Sequence, residues 1–169
     1  MARIGDACLE RAVVGQHDQP LAVRIESAGR VDIRHVHQVG ERGAEFPRLD
    51  DRLVGHRNRF GYAAVDRQPG GDLADTWATI VRYDRQGGPT EAHDFGLHHW
   101  PSEPVFVPRS ADAAEHDGFL LTVVYDGTTD GSYLAVLDAA NVAGEPLATC
   151  RLPHRIPMGF HGNFVPGLA

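Results

Sequence analysis

Short runs of β-branched and aromatic residues alternate with polar positions along this chain, and glycine or proline stands between the runs. That punctuation predicts strands and tight turns, and no long stretch with helical periodicity competes with it. The clearest strands are expected at 76–84 (TWATIVRYD), 119–126 (FLLTVVYD), 132–137 (SYLAVL) and 147–152. The cluster GTTDG between the second and third of these predicts a hairpin. RQGG at 85–88 should likewise turn the first strand back toward 91–95, and VRIESAGRVDIRHV at 23–36 reads as one more hairpin. Only DAANVA at 138–143 reads as a helical turn, in a loop between strands. The fold class is therefore all-β, built of antiparallel meanders. Blades of a β-propeller fit the recurrence, a sandwich gives nearly the same pattern, and no strict repeat is visible.

Composition adds little to this picture but removes several alternatives. A chain of 169 residues with 42% apolar content has the size of one domain or of one piece of a larger one. The net charge is −7 and the sixteen basic residues, all arginine, are scattered. Nucleic acid and anionic membrane surfaces are thus not expected partners. Cys8 and Cys150 lie near opposite ends in no ligand or redox spacing, which suits a reducing cytoplasm. The first residues lack the apolar core of a signal peptide. The longest apolar run, 119–125, is interrupted by Thr122 and too short to span a bilayer, so no transmembrane segment is expected.

One stretch carries chemistry. RLPHRIPMGFHGNFVP at 151–166 resembles the closing segment of carotenoid cleavage oxygenases, where a Pro-x-Gly-Phe-His-Gly string delivers the last of four iron-binding histidines. Two further stretches agree in order and spacing: EFPRLDDRLVGHRNRFGYAA, which contains Glu45, and SEPVFVPR, which contains Glu103 and is followed by EHDGFLLTVVYD. The resemblance runs from about Gly43 to Pro166, and it divides the chain into a poorly matching segment, 1–42, and a propeller-like part, 43–169. It implies the last blades of a β-propeller, with His161 as a ligand of Fe(2+) and with Glu45 and Glu103 as carboxylates supporting the iron-binding histidines. It also implies a non-haem dioxygenase that uses O2 to split an alkene bond of a carotenoid, apocarotenoid or stilbene into two carbonyl products.

The residue types agree with that implication. Neutral imidazoles suit iron but leave its charge uncompensated, and carboxylates that accept the free ring N–H of a ligand supply the charge and fix the tautomer. Each residue also has a plainer reading. A histidine between glycines near a chain end is usually a loop residue, and a carboxylate beside a proline at the start of a strand is usually a solvated edge residue. Phe160 and Phe164 would line an apolar tunnel or simply pack. His35 and His37 share one face of a strand but match no family motif; His98 and His99 would point to opposite faces. His93 opens an HDF string but falls on a late strand, and it is not assigned.

Three of the motifs that carry the family's other histidines have no counterpart here. The expectation is thus the last two or so blades, an incomplete enzyme or an inert β-rich remnant or binding module, with apolar faces that favour self-association.

Overall fold

A computed structural model describes residues 23–25, 31–33, 42–68, 76–157 and 159–167. Among them the only helical element is a 3₁₀ turn at Asp51–Leu53; everything else regular is strand. Strands β1 (Val23–Ile25) and β2 (Val31–Ile33) pair antiparallel, in agreement with the hairpin expected at 23–36. Cys8, His35 and His37 lie outside the described residues.

The remaining strands form two antiparallel meanders. In the first, β3 (Ala44–Arg48), β4 (Phe60–Val65), β5 (Thr79–Asp84) and β6 (Glu91–Asp94) pair in sequence order. In the second, β7 (His99–Pro101) and β8 (Val105–Pro108) both pair with β9 (Gly118–Asp126), which continues to β10 (Gly131–Asp138) and β11 (Ala148–Arg151). Sequential hairpins of this kind are the topology of propeller blades. The hairpins expected at RQGG and GTTDG are both present, with Arg82 opposite Glu91 and Asp126 opposite Gly131.

Two expectations need correction. The strand expected from residue 76 starts at Thr79, because Trp77 adopts a φ of 52°, outside the β region, while its N–H donates to Asp66 Oδ1 at 3.1 Å. At 138–143 there is no helical turn. Two successive tight turns stand there, closed by Asn141 N–H to Asp138 O and Gly144 N–H to Asn141 O. Asp138 takes the Ala140 N–H on its side chain, the local bond by which aspartate favours turns over helix.

Packing follows the two-residue period of strands. Along β9, Leu120, Thr122 and Val124 are buried and alternate with half-exposed Phe119, Leu121, Val123 and Tyr125. The buried face meets the first sheet in one core containing Phe46, Phe60, Tyr62, Ile80, Phe106, Leu120 and Leu137. Tyr62 and Phe106 join the sheets directly, stacked at 5.8 Å with planes 6° apart. Burial pushes the Tyr62 hydroxyl's pKa up. The other face of the first sheet holds a smaller cluster, Ala63, Val65 and Val81.

Candidate metal centre

The three motifs meet at one edge of this core. His161 lies in the irregular segment that follows β11. Proline and glycine there prevent a further ladder, and the backbone is tied down by single bonds: Leu152 N–H to Ser132 O and Ile156 N–H to Ser132 Oγ. Glu103 sits where the second sheet breaks. Pro101 faces Val124 and Val105 faces Leu121, so the β7–β8 side carries one residue more than β9, and Glu103 falls in that irregularity.

Glu103 is 4% exposed, yet both its oxygens are occupied. Oε1 is 3.2 Å from Nδ1 of His161, and Oε2 accepts the Gly162 N–H at 2.9 Å and Arg48 Nη1 at 3.1 Å. A carboxylate only accepts, so this contact places the imidazole proton on Nδ1 and leaves the lone pair on Nε2. The ring is held edge-on to Phe46, with centroids 6.2 Å apart and planes at 87°, while 76% of the His161 side chain stays exposed. The result is an oriented imidazole whose second nitrogen faces outward. That is the donor a metal ion needs, and a carboxylate on the opposite nitrogen is its usual support.

Glu45 is elsewhere. It is exposed on the edge strand β3, opposite Ala64, and makes no hydrogen bond or ion pair among the described residues. The structure therefore brings Glu103 to His161 and leaves Glu45 apart. A bulge follows Glu45: Glu45 faces Ala64 but Arg48 faces Tyr62, with one extra residue on β3. Phe46 takes a φ of 56° there, and its ring turns into the core against Trp77, Phe160 and His161. Phe160 itself is 71% exposed, and Phe164 and Val165 are exposed beside it.

Other histidines are engaged in local packing. His93 Nδ1 contacts Gly144 O at 3.0 Å, His99 contacts the Tyr133 hydroxyl at 3.2 Å, and His98 packs on Trp100. Among the described residues, no group of three His, Cys, Asp or Glu side chains is arranged to hold a metal ion. Likewise, no helix among them is long and apolar enough to cross a membrane. What sequence reasoning missed is Arg48, whose guanidinium touches Glu103, Gly162, Asn163 and Asp51. Its one signal was its place in the EFPR string, three residues after Glu45.

Comparison with known proteins identifies the family of the chain. The family described as retinal pigment epithelial membrane protein (RPE65) matches residues 10–166. The chain belongs to this family, that of the carotenoid cleavage oxygenases. It is 32% identical over 123 residues to apocarotenoid-15,15'-oxygenase of Synechocystis, covering 73% of this chain and 25% of that protein. It is 36% identical over 140 residues to lignostilbene-alpha,beta-dioxygenase isozyme III of Sphingomonas paucimobilis, covering 79% of this chain and 29% of that protein. A cobalt-substituted Synechocystis ACO superposes with a TM-score of 0.68 at 30% identity, covering 80% of this chain and 27% of that one. The chain thus spans about a quarter of the length of the curated relatives it matches. Its two meanders correspond to part of the β-propeller that these enzymes build.

Proposed function

We propose that residues 43–169 are the closing blades of a non-haem iron dioxygenase that cleaves an alkene bond of an apolar polyene or stilbene with O2, giving two carbonyl products. The observation that carries this reading is the His161–Glu103 pair: a buried carboxylate on Nδ1 and an exposed Nε2, in a chain that belongs to an oxygenase family. Fe(2+) fits the donor, since a neutral imidazole is a good ligand for ferrous iron. Bound iron would supply the activation of O2. The chain's own residues do the rest. His161 Nε2 would hold the iron through its lone pair, Glu103 holds the Nδ1 proton and contributes negative charge, and Phe46, with Phe160 beside it, walls the ring with apolar surface. Glu45, exposed and without a partner among the described residues, would support a second ligand histidine brought by another part of the complete protein.

One neutral imidazole does not hold ferrous iron on its own, so this chain alone is read as catalytically inert. Its half-exposed apolar strand face favours self-association. A cytoplasmic location suits the exposed thiol of Cys150, which has no disulfide partner among the described residues.

The test is a chimera in which residues 43–166 replace the matching part of the Sphingomonas lignostilbene dioxygenase. The chimera should retain iron and cleave a stilbene under air, and His161→Ala should abolish both. Turnover that survives His161→Ala would overturn the ligand assignment.

A further inference from the structure

We infer that Arg48 is a positioning residue for His161, a clamp that sets the direction of the imidazole through Glu103 and through the backbone at Gly162. This rests on the reading of His161 as a metal ligand and adds the element that aims it.

The argument starts from what Glu103 cannot do alone. The terminal torsion of a glutamate is broad, with no sharply preferred plane. A carboxylate held only by the segment it is meant to orient would turn with that segment. Arg48 removes this freedom from outside. It lies on β3, fixed opposite Tyr62, and its side chain is only 15% exposed. Nη1 donates to Glu103 Oε2 at 3.1 Å and to Gly162 O at 3.2 Å; Nη2 donates to Asn163 Oδ1 at 3.2 Å and to Asp51 Oδ2 at 3.0 Å.

Glu103 in turn accepts the Gly162 N–H, so both backbone groups of Gly162 are bound, one by the carboxylate and one by the guanidinium. The residue directly after His161 is thereby fixed on two sides, in a stretch with no strand pairing of its own. Only a planar fork with several donors can join these acceptors at once. A lysine ammonium would keep the charge beside Glu103 but could not span Glu103, Gly162, Asn163 and Asp51 together. The bulge after Glu45 is what brings Arg48 to this point, because it shifts the β3 register by one residue between Glu45 and Arg48.

The test uses the full chain labelled with 15N-histidine, at about pH 8.5, where a solvated imidazole is neutral. The His161 ring signals are assigned by their loss in His161→Ala. Hydrogen exchange by mass spectrometry follows a peptide covering 159–165, with the β9–β10 hairpin as the control for folding. In the unaltered chain His161 should show the Nδ1–H tautomer, and 159–165 should be protected. Arg48→Met should shift the ring toward the Nε2–H tautomer that free imidazole prefers and speed exchange at 159–165 about tenfold, with β9–β10 unchanged.

Arg48→Lys, which keeps the charge and is the safer variant for folding, should lose the same protection. Full retention of tautomer and protection in Arg48→Lys would overturn the clamp, because charge alone would then suffice. An Nδ1–H tautomer that also survives Arg48→Met would overturn it while leaving the His161–Glu103 reading intact. An Nε2–H tautomer in the unaltered chain would overturn both.

Discussion

Oε1 of Glu103 lies 3.2 Å from Nδ1 of His161 across 58 residues of sequence, and the two side chains have opposite surroundings, 4% against 76% exposed. A buried carboxylate thus reaches out to orient a ring whose other face is open. Removing Glu103 leaves Arg48 half-buried without its inner partner and frees the Gly162 N–H. Glu103→Ala should cost about 3 kcal/mol, the range found when one member of a buried ion pair is deleted. Glu103→Gln, which keeps an acceptor oxygen, should cost less. Urea denaturation measures both, and equal stability of all three proteins would show that the network holds nothing together.

Phe46 is the second support of the ring. A φ of 56° is costly for a residue with a Cβ, by roughly 1 kcal/mol, and it is tolerated because the ring packs on Trp77, Phe160 and His161. Phe46→Ala keeps the backbone cost and forfeits the packing, so a loss of about 3 kcal/mol is expected. Phe46→Gly forfeits the same packing but relieves the φ. If glycine proves markedly worse than alanine at this position, the positive φ is not a source of strain.

The strands were legible because alternation and turn chemistry agree. β9 alternates along its whole length, and GTTDG and RQGG each join strands that pair. What failed was decided locally. The φ of Trp77 delays β5 by three residues from the expected start, and Asp138 binds the backbone two residues on instead of capping a helical turn. At the site, His161 and Glu103 were readable only through the family motif, since neither spacing nor periodicity singles out a loop histidine. Apart from its place in the EFPR string, nothing in the sequence singles out Arg48. Its role depends on a one-residue bulge and on a chain segment more than a hundred residues away, and no local pattern encodes either.

Acid should weaken the fold at identifiable carboxylates. Arg59 beside Asp84 holds its pKa down to about 2, and the Thr128 and Thr129 hydroxyls hold Asp126 well below the usual carboxylate range. A depressed folded pKa means stabilisation that is fully present above the unfolded value of about 3.9 and is lost as pH falls through the folded one. Thermal melts should therefore fall steeply from about pH 4 toward pH 2. Asp84→Asn and Asp126→Asn should each lower stability at neutral pH and flatten that fall; an unchanged acid slope in both would place the sensitivity elsewhere.

Leu121 faces Val136 and Val123 faces Leu134 on the half-exposed side of the β9–β10 hairpin, and β11 beyond them is an exposed edge strand. In a propeller such a face lies against the next blade. The chain by itself should cover it with a second copy. Sedimentation velocity should show concentration-dependent association, and Val123→Lys with Val136→Lys should abolish it without loss of β9–β10 exchange protection. A protein that remains monomeric at about 100 μM would contradict this.

The final prediction concerns the metal. One neutral imidazole competes poorly with water for ferrous iron, and a well-placed Glu103 orients that ligand without adding another. Metal affinity grows with the number of deprotonated ligands presented together, and the described residues present no such group. The purified chain should lose iron on gel filtration and give no product from a stilbene or apocarotenoid under air, with or without His161→Ala. The chimera that carries the same residues should behave oppositely, holding iron only while His161 is present. Stoichiometric iron in the isolated chain that disappears in His161→Ala would mean that associated copies pool their histidines into a full site. Iron retained in both proteins would place the metal away from His161 altogether.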